Sequence, residues 1–319
     1  MTEITHRHIE TNGIRMHIAE AGEGRPIILC HGFPELWYSY RRIIPGLAEA
    51  GYHAIAFDQR GYGQTDVPTE LTDYDMPHLI GDLVGLLDAL GEEKAIFIAH
   101  DWGAIVLWQF LLQHPERVEG AVSVSVPFTP RGEMSTISLL RLLAEDKFMY
   151  MLYFQEPGLA DEELARDTHD TFRRVMWSLS GDAAADDQPP AFGGGPGFLD
   201  GRKGPDELPE WLTQEDIDYF ASEFKRTGFT GVLNWYRNWD RNWEISADTT
   251  GAHVTVPTLF ITGDRDPVRG LLPESTMDGW LDDHRGNVII PGAGHWEEQE
   301  KPSEVLAAIL PFIEQLPPH

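Results

Sequence analysis

Short apolar runs alternate with longer segments of helical pattern in the first third and the last quarter of the chain. The runs that end at Cys30 and Ile98 show no apolar–polar alternation, which is typical of strands buried on both faces. Asn12-Gly13 separates two further runs and favours a hairpin turn. The predicted strands are residues 4–10, 14–20, 26–30, 53–57, 95–98, 118–126, 256–261 and 287–290, and the predicted helices are residues 37–50 (interrupted or begun afresh at Pro45), 77–90, 104–114 and 302–315. Strands that alternate with helices predict a mostly parallel sheet with helices on both faces.

This alternation is interrupted in the middle of the chain. Residues 130–180 are rich in Leu, Met, Phe and Tyr and predict short helices, whereas residues 181–210 are dense in Gly, Pro and Asp and predict a long loop. Helical patterns resume at residues 211–224 and 231–243. The predicted organisation is an α/β core formed by residues 1–128 and 246–319, with residues 129–245 inserted as a helical lid.

Composition narrows the classes of function. The net charge of −28 argues against nucleic acid as a partner, because phosphate binding needs a basic surface. No apolar run reaches the ~18 residues that suggest a membrane span, and the N-terminus lacks the apolar segment of a secretory signal. The single cysteine, Cys30, excludes an internal disulfide. One cysteine agrees with a reducing compartment, so we expect a cytoplasmic protein. We expect no metal ion and no cofactor.

A candidate nucleophile lies between a predicted strand and a predicted helix. Ala99-His100-Asp101-Trp102-Gly103 has the small residues that let a strand turn sharply into a helix and expose the central side chain. That side chain is Asp101, and the serine version, Gly-x-Ser-x-Gly, is absent from the chain. A carboxylate can displace a leaving group from saturated carbon and form an alkyl ester. The alternative is that Asp101 only caps the helix.

Two further groups follow Asp101 at predicted strand ends. They are Asp266 and His295, and the order nucleophile, acid, histidine is that of the α/β-hydrolase triad. His295 lies on a loop between two residues, Gly294 and Trp296, rather than on an apolar helix face. Asp264 competes for the role of the acid, but we expect it to serve the turn.

A third predicted strand end carries His31-Gly32-Phe33-Pro34. We expect His31 to brace this loop by hydrogen bonds. The backbone N–H groups of Phe33 and Trp102 can together form an oxyanion hole.

Several motifs make the sequence similar to one enzyme family. They are His31-Gly32-Phe33-Pro34-Glu35-Leu36-Trp37-Tyr38-Ser39-Tyr40-Arg41, Asp58-Gln59-Arg60-Gly61-Tyr62-Gly63, His100-Asp101-Trp102-Gly103-Ala104, Leu152-Tyr153-Phe154-Gln155-Glu156-Pro157-Gly158, Asn234-Trp235-Tyr236-Arg237-Asn238 and Gly294-His295-Trp296. The chain resembles, over nearly its whole length, the epoxide hydrolases of the α/β-hydrolase fold. Ala99 departs from the glycine usual there, but alanine is small enough for the turn.

The resemblance implies roles for residues of the lid and the loops. Tyr153 and Tyr236 would donate hydrogen bonds to the epoxide oxygen, and Glu35 would help to position a water molecule. The alternatives are that the tyrosines pack in an aromatic lid and that Glu35 is a solvated loop carboxylate. We expect the substrate pocket to include Glu35, Trp37, Phe128 and Trp177.

The expected reaction opens a small-molecule epoxide to a 1,2-diol in a monomer or homodimer. Asp101 forms an ester, and His295, oriented by Asp266, activates water; His295 must be neutral to do so. The first alternative is a haloalkane or haloacid dehalogenase with the same nucleophile, in which Trp102 and Trp177 would bind halide. Phe33 offers that enzyme no side-chain donor. The second is a non-catalytic ligand-binding protein, against which the intact triad argues.

Overall fold

The computed structural model describes residues 2–184, 186–187 and 190–318, and within them eight strands form one sheet. The strands are β1 (Thr5–Thr11), β2 (Ile14–Ala21), β3 (Arg25–Cys30), β4 (Tyr52–Phe57), β5 (Ala95–His100), β6 (Val118–Val124), β7 (Val254–Gly263) and β8 (Leu281–Ile290). Their spatial order is β1-β2-β4-β3-β5-β6-β7-β8. Only β2 runs against its neighbours β1 and β4, so the sheet is mostly parallel, as predicted.

Helices cover both faces of this sheet, and those between β6 and β7 form the inserted segment. The helices are α1 (Ile44–Glu49), α2 (Met76–Leu90), α3 (Trp102–Gln113), α4 (Thr136–Ala144), α5 (Tyr150–Tyr153), α6 (Leu159–Ala165), α7 (Thr168–Ser178), α8 (Gln214–Thr227), α9 (Thr230–Arg237), α10 (Trp239–Ile245), α11 (Glu297–Glu300) and α12 (Pro302–Glu314). Alternate residues of the central strand β3 enter different cores. Ile28 joins the core that α2 and α3 cover, and Leu29 joins the core under α1 and α12. An unbroken apolar run therefore suits β3, because both of its faces are buried.

Two differences from the predicted elements have simple causes. Residues 37–50 form a 3₁₀ turn (Trp37–Tyr40) followed by α1, which begins afresh beside Pro45 in its first turn. Strand β8 begins six residues before the predicted start. Its first half is polar and lies at the edge of the sheet, so no apolar run marks it in the sequence. Hydrogen bonding to β7 rather than an apolar pattern extends that strand.

The inserted helical segment lies between two paired strands, β6 and β7, and covers one end of the sheet. Its aromatic residues Phe154, Phe172 and Trp235 belong to the same core as Trp102 of α3. The Gly/Pro-dense stretch 181–210 contains no helix or strand in its described part, as the sequence predicts. Ala185, Gln188 and Pro189 of that stretch lie outside the described residues. No helix in the described chain has the length and apolarity needed to cross a bilayer.

Candidate active site

Asp101 lies at the turn from β5 into α3 in a conformation that L-residues rarely adopt. Its φ is 47° and its ψ is −117°, a strained geometry that surrounding packing must maintain. The neighbouring backbone fits closely around it. A Cβ atom added to Gly103 would lie 2.4 Å from the carbonyl oxygen of Cys30, and one added to Gly32 would lie 2.4 Å from the Cβ of Asp101. Both positions therefore require glycine.

The Asp101 carboxylate faces the loop after β3 instead of capping α3. The helix has no side-chain cap from Asp101, and the Phe33 N–H donates to Asp101 Oδ1 at 2.8 Å. Trp102 is the first residue of α3, so its N–H has no partner within the helix. Of the two backbone donors expected for an oxyanion hole, the Phe33 N–H thus contacts the carboxylate, and the Trp102 N–H belongs to the next residue of the chain.

His295 and Asp266 lie next to this carboxylate. His295 Nε2 is 3.8 Å from Asp101 Oδ2, and His295 Nδ1 is 3.3 Å from Asp266 Oδ1. Asp264 instead accepts a hydrogen bond from the Gly292 N–H at 2.7 Å and holds the turn before His295. The structure therefore brings together the three residues that the sequence predicted as a triad.

Ser125 is a fourth member of this group that the sequence analysis missed. Its hydroxyl donates to Asp266 Oδ2 at 2.6 Å and lies 3.0 Å from His295 Nδ1. The chain leaves β6 at Ser125 with a φ of 68°, so β6 ends before the predicted residue 126. The available signal was its position at the end of a strand next to β7, where polar side chains of neighbouring strands meet.

The loop that carries His295 is joined directly to the inserted segment. The His295 N–H donates to the carbonyl of Leu179 at 2.8 Å, just beyond the end of α7. Glu300 Oε2 accepts hydrogen bonds from the N–H groups of Gly181 and Gly294 at 2.8 and 3.0 Å, which links the inserted segment to the His295 loop a second time. These bonds fix the candidate base to the segment above it.

A cavity of about 120 Å³ lies between Asp101 and the inserted helices. Asp101, His295, Phe33, Tyr150 and Tyr236 line it together with apolar side chains. The Tyr236 ring packs edge-on against Phe33 at 5.3 Å between centroids, and the ring centroids of Tyr150 and Tyr236 are 6.2 Å apart. Burial, reinforced by the nearby Tyr150 and Asp101, raises the pKa of Tyr236. Burial and the Asp101 charge also raise the pKa of Tyr150, so both phenols stay protonated at neutral pH.

Tyr153 does not reach this cavity, although the lid motif had suggested it. Its ring packs against Phe148 at 5.4 Å, and burial together with a hydrogen bond to Glu163 raises its pKa to about 12. Tyr150 and Phe154 are four residues apart and share one face, and Phe154 is buried in the core. Tyr150 is therefore the residue of this short helix that faces Asp101, and it takes the place expected for Tyr153.

Comparisons with known proteins agree with this geometry. The family model described as the alpha/beta hydrolase fold matches residues 25–297. Epoxide hydrolase A of Mycobacterium tuberculosis is 48% identical over 313 residues, which are 97% of this chain and 97% of that protein. Epoxide hydrolase 3 of Siraitia grosvenorii is 44% identical and covers 98% of this chain and 99% of its own. The crystal structure of Epoxide Hydrolase A from Mycobacterium thermoresistibile matches with a TM-score of 0.94 and 46% identity, over 99% of this chain and 100% of that one.

The chain belongs to the epoxide hydrolases of the α/β-hydrolase fold. The dehalogenase alternative is not favoured, since the similar proteins are epoxide hydrolases. The cavity agrees, because the Trp177 indole that was to bind halide donates to Asp187 at 3.3 Å instead.

Three aromatic residues expected in the pocket of this epoxide hydrolase lie outside the cavity. Val175 and Leu179 of the α7 region line it, and Trp177, two residues from each, points away from it. Phe128 packs on Trp108 at 5.6 Å between centroids. The Trp37 indole donates to the hydroxyl of Tyr219 at 2.8 Å.

Glu35 supports the candidate site of the epoxide hydrolase from below and is fully buried, not solvated. It accepts hydrogen bonds from the Gly32 N–H at 2.8 Å and from His100 Nδ1 at 2.5 Å. His100 Nε2 lies 2.6 Å from the carbonyl oxygen of His295. Both partners of His100 are acceptors, so both ring nitrogens donate and the imidazole is charged. Burial opposes this charge, but Glu35 and Glu298 raise the pKa of His100.

Glu35, His100 and Glu298 bring possible metal-ligand atoms within 4.8 Å of one another. His100 uses both nitrogens as donors, which leaves no lone pair for a cation. Glu298 has no hydrogen-bond donor for either carboxyl oxygen among the described residues. Burial, opposed by His100 and reinforced by Glu35, raises the pKa of Glu298. A protonated Glu298 beside an ionised Glu35 explains the cluster better than a metal ion does.

This protonation predicts how the stability of the epoxide hydrolase changes with pH. The pKa of Glu298 is higher in the folded state than the value of 4.5 of an unperturbed carboxyl. Above that value the folded state keeps a proton that the unfolded state releases, so this group makes stability fall as the pH rises. Glutamine keeps the shape and has no such proton. Glu298→Gln should match the wild type near pH 4 and exceed it by at least about 1 kcal/mol near pH 8.

Thermal or urea unfolding across this pH range measures the difference. The control is Glu304→Gln, an exposed glutamate on α12, which should follow the wild-type pH profile. A Glu298→Gln stability difference that is the same at every pH would show that Glu298 is not protonated in the folded protein.

Proposed function

We propose that this epoxide hydrolase converts an epoxide to a 1,2-diol in two steps through an ester on Asp101. The observation that carries the proposal is one cavity in which the Asp101 carboxylate, His295 and the phenols of Tyr150 and Tyr236 converge. A carboxylate nucleophile, a base behind it and hydrogen-bond donors opposite it are the three groups that the reaction needs.

In the first step an Asp101 oxygen attacks a carbon of the epoxide ring from the side opposite the ring oxygen. The carbon–oxygen bond of the ring breaks, and its electron pair stays on the oxygen. Tyr150 and Tyr236 donate hydrogen bonds to that oxygen, and one of them transfers its proton. An alkoxide is a poor leaving group, so this stabilisation is what makes ring opening feasible. The step leaves a hydroxyalkyl ester on Asp101.

In the second step His295 Nε2 removes a proton from water, and the hydroxide attacks the carbonyl carbon of the ester. The N–H groups of Phe33 and Trp102 stabilise the tetrahedral oxyanion. Asp266 and Ser125 hold the imidazole through Nδ1 and support the positive charge that it gains. The acyl carbon–oxygen bond of the ester then breaks, the departing oxygen takes up the proton of the new carboxyl group, and the diol leaves with Asp101 again a carboxylate. The proton on His295 passes through water to the tyrosinate that the first step left, which restores the imidazole and the phenol.

The remaining expectations follow from the same reaction. We propose that residues 129–245 act as the cap that carries both phenols and excludes bulk water from the ester. The partners are a small-molecule epoxide and water, in the cytoplasm, and neither step requires a metal ion or a cofactor. All groups named belong to one chain, so a monomer suffices and a homodimer is compatible.

A single turnover in oxygen-18 water tests the ester. With enzyme in excess, the first diol should take its new oxygen from Asp101 and contain unlabelled oxygen, because water attacks the ester carbonyl and not the epoxide. Mass spectrometry of the diol and of the peptide that contains Asp101 measures the label. Label in the first diol would mean that water attacks the epoxide directly.

His295→Gln should block the second step more than the first, because ring opening needs no base. The ester should accumulate, and intact-protein mass spectrometry should show an increase equal to the mass of the substrate. The control is His253→Gln, a histidine outside the cavity that is 46% exposed and should turn over normally. A His295→Gln enzyme that never forms the adduct with a good epoxide would contradict the assigned role.

Phenylalanine substitutions distinguish Tyr150 from Tyr153. Tyr150→Phe and Tyr236→Phe should each slow ring opening by roughly 1–3 kcal/mol, the value of a hydrogen bond to a developing charge, and the double variant should nearly abolish it. Quenching of tryptophan fluorescence on alkylation follows the step, since Trp102 adjoins Asp101. Tyr153→Phe is the matched control and should alkylate at close to the wild-type rate. Slow alkylation by Tyr153→Phe but not by Tyr150→Phe would restore the sequence-based assignment.

A further inference from the structure

Three histidines lie together on one face of the hairpin that β1 and β2 form, away from the substrate cavity. His6 and His8 are two residues apart in β1, so their side chains leave the strand on the same side of the sheet. His17 of β2 pairs directly with His8 in the antiparallel register and shares that side. None of these three described residues lines the cavity, and the proposed reaction uses none of them.

The spacing of these imidazoles suits a shared metal ion. His6 Nδ1 lies 3.1 Å from His17 Nε2. Two nitrogens that each lie about 2.1 Å from a tetrahedral zinc ion are about 3.4 Å apart, and the centroids of their rings are roughly 5 Å apart. The ring centroids of His6 and His17 are 5.3 Å apart, and so are those of His8 and His17. Both pairs of rings are therefore close to the separation that zinc needs.

A buried carboxylate orients His17 for this role. His17 Nδ1 lies 2.8 Å from Asp58 Oδ2, and Asp58 also accepts hydrogen bonds from the N–H groups of Trp37 and Gln64. These bonds favour an ionised Asp58, which only accepts, so His17 Nδ1 carries a proton. In the neutral imidazole Nε2 then presents its lone pair toward His6. A carboxylate behind a histidine is a frequent partner of metal ligands, because it fixes the ring and raises the basicity of the ligating nitrogen.

The third ligand needs one local movement. In the described conformation the His8 ring is hydrogen-bonded to the backbone of Gln64, so its nitrogen does not lie with those of His6 and His17. The edge strand β1 has β2 as its one neighbour, and the His8 side chain is half-buried, so its ring can rotate without disturbing a core. His6 is exposed and gives an ion access from solvent. Without an ion, a hydrogen bond between His6 and His17 accounts for their contact.

We propose that His6, His8 and His17 bind a divalent transition-metal ion, with zinc as the best-suited ion and water as the fourth ligand. Three histidines and one water are a ligand set that zinc accepts. Imidazole nitrogens favour zinc, nickel and copper over magnesium and calcium. The net charge of −28 raises the concentration of cations around the chain.

This site is structural and independent of the proposed reaction. The ion joins the edge strand β1 to β2 and, through Asp58, to the end of β4. It adds a metal ion that the sequence analysis did not expect, because three histidines spread over twelve residues form a site only once the hairpin register is known. Epoxide hydrolysis requires no metal ion at this position.

Untagged protein that has been treated with EDTA tests the site, with ZnCl₂ as the ligand. Isothermal titration should show a zinc ion bound by each chain. Thermal unfolding should shift to higher temperature, because the ion binds the folded hairpin more tightly than the unfolded chain. MgCl₂ at the same concentration is the control for the general attraction of cations to an acidic protein, and it should give neither effect. A wild type that responds to zinc as it does to magnesium would overturn the proposal.

Substitutions locate the ion. His6→Gln and His8→Gln each remove one proposed ligand from an exposed or half-buried position of β1 and should fold. Each should weaken zinc binding by roughly 100-fold or more, since the loss of a supporting residue alone costs about 10- to 100-fold. His284→Gln is the matched control, a histidine on the opposite edge strand β8, and should bind zinc as the wild type does. Wild-type affinity in either β1 variant would overturn the site of three histidines.

Footprinting of the wild type gives a second measurement that depends on no variant. Diethyl pyrocarbonate modifies accessible imidazole nitrogens, and mass spectrometry assigns the modified residues. Zinc should protect His6 and His8 together, because the ion occupies the nitrogens that react. His253, whose side chain is 46% exposed, should be modified equally with and without zinc. If zinc protects neither His6 nor His8, the histidines of the hairpin share only a hydrogen bond and the proposal is overturned.

Discussion

The close approach of two loops around Asp101 is the constraint on which the site depends. Strands β3 and β5 pair in parallel, so the loops after Cys30 and after His100 leave the sheet side by side. Gly32 and Gly103 let these loops meet closely enough for the Phe33 N–H to contact the Asp101 carboxylate. The strain in the Asp101 backbone is maintained by this contact and by the buried strand behind it. Any side chain at either glycine would separate the nucleophile from its donors.

Buried polar groups extend this arrangement below the cavity. Glu35 holds the Gly32 N–H and the charged His100, which in turn donates to the carbonyl of His295. One buried ion pair thus connects the loop after β3 with the loop that carries His295. The hydrogen bonds with the Gly32 N–H and the His295 carbonyl offset the cost of burying this pair. The Glu298 carboxyl of α11 completes the cluster, and its raised pKa makes the stability of the folded protein depend on pH.

The sheet and the triad were predictable from sequence because their signals are local. Apolar runs such as β3 are typical of a doubly buried strand, and Asp101 and Asp266 follow strands of this kind, while His295 follows the short apolar end of β8. The polar first half of β8 was not predictable, since pairing with β7 defines it. The sequence also could not show which side chains of a short helix face the cavity. Tyr150 and Tyr153 both lie in one aromatic stretch, and only the burial of Phe154 decides which of them faces Asp101. Trp177 was misplaced for the same reason, because the packing of α7 selects the face that its neighbours present.

The hydrogen bonds between His295 and the end of α7 have a consequence for the passage of ligands. The His295 N–H is held by the Leu179 carbonyl, and Glu300 clamps Gly181 to Gly294. Lifting the inserted segment at this corner would move His295 away from Asp101, so the proposed reaction and opening at this corner exclude each other. Leu179 and Gly181 therefore form the fixed part of the cavity rim. If the proposed reaction holds, ligands would pass by movement elsewhere along the rim of the cavity, which leaves His295 in place beside Asp101.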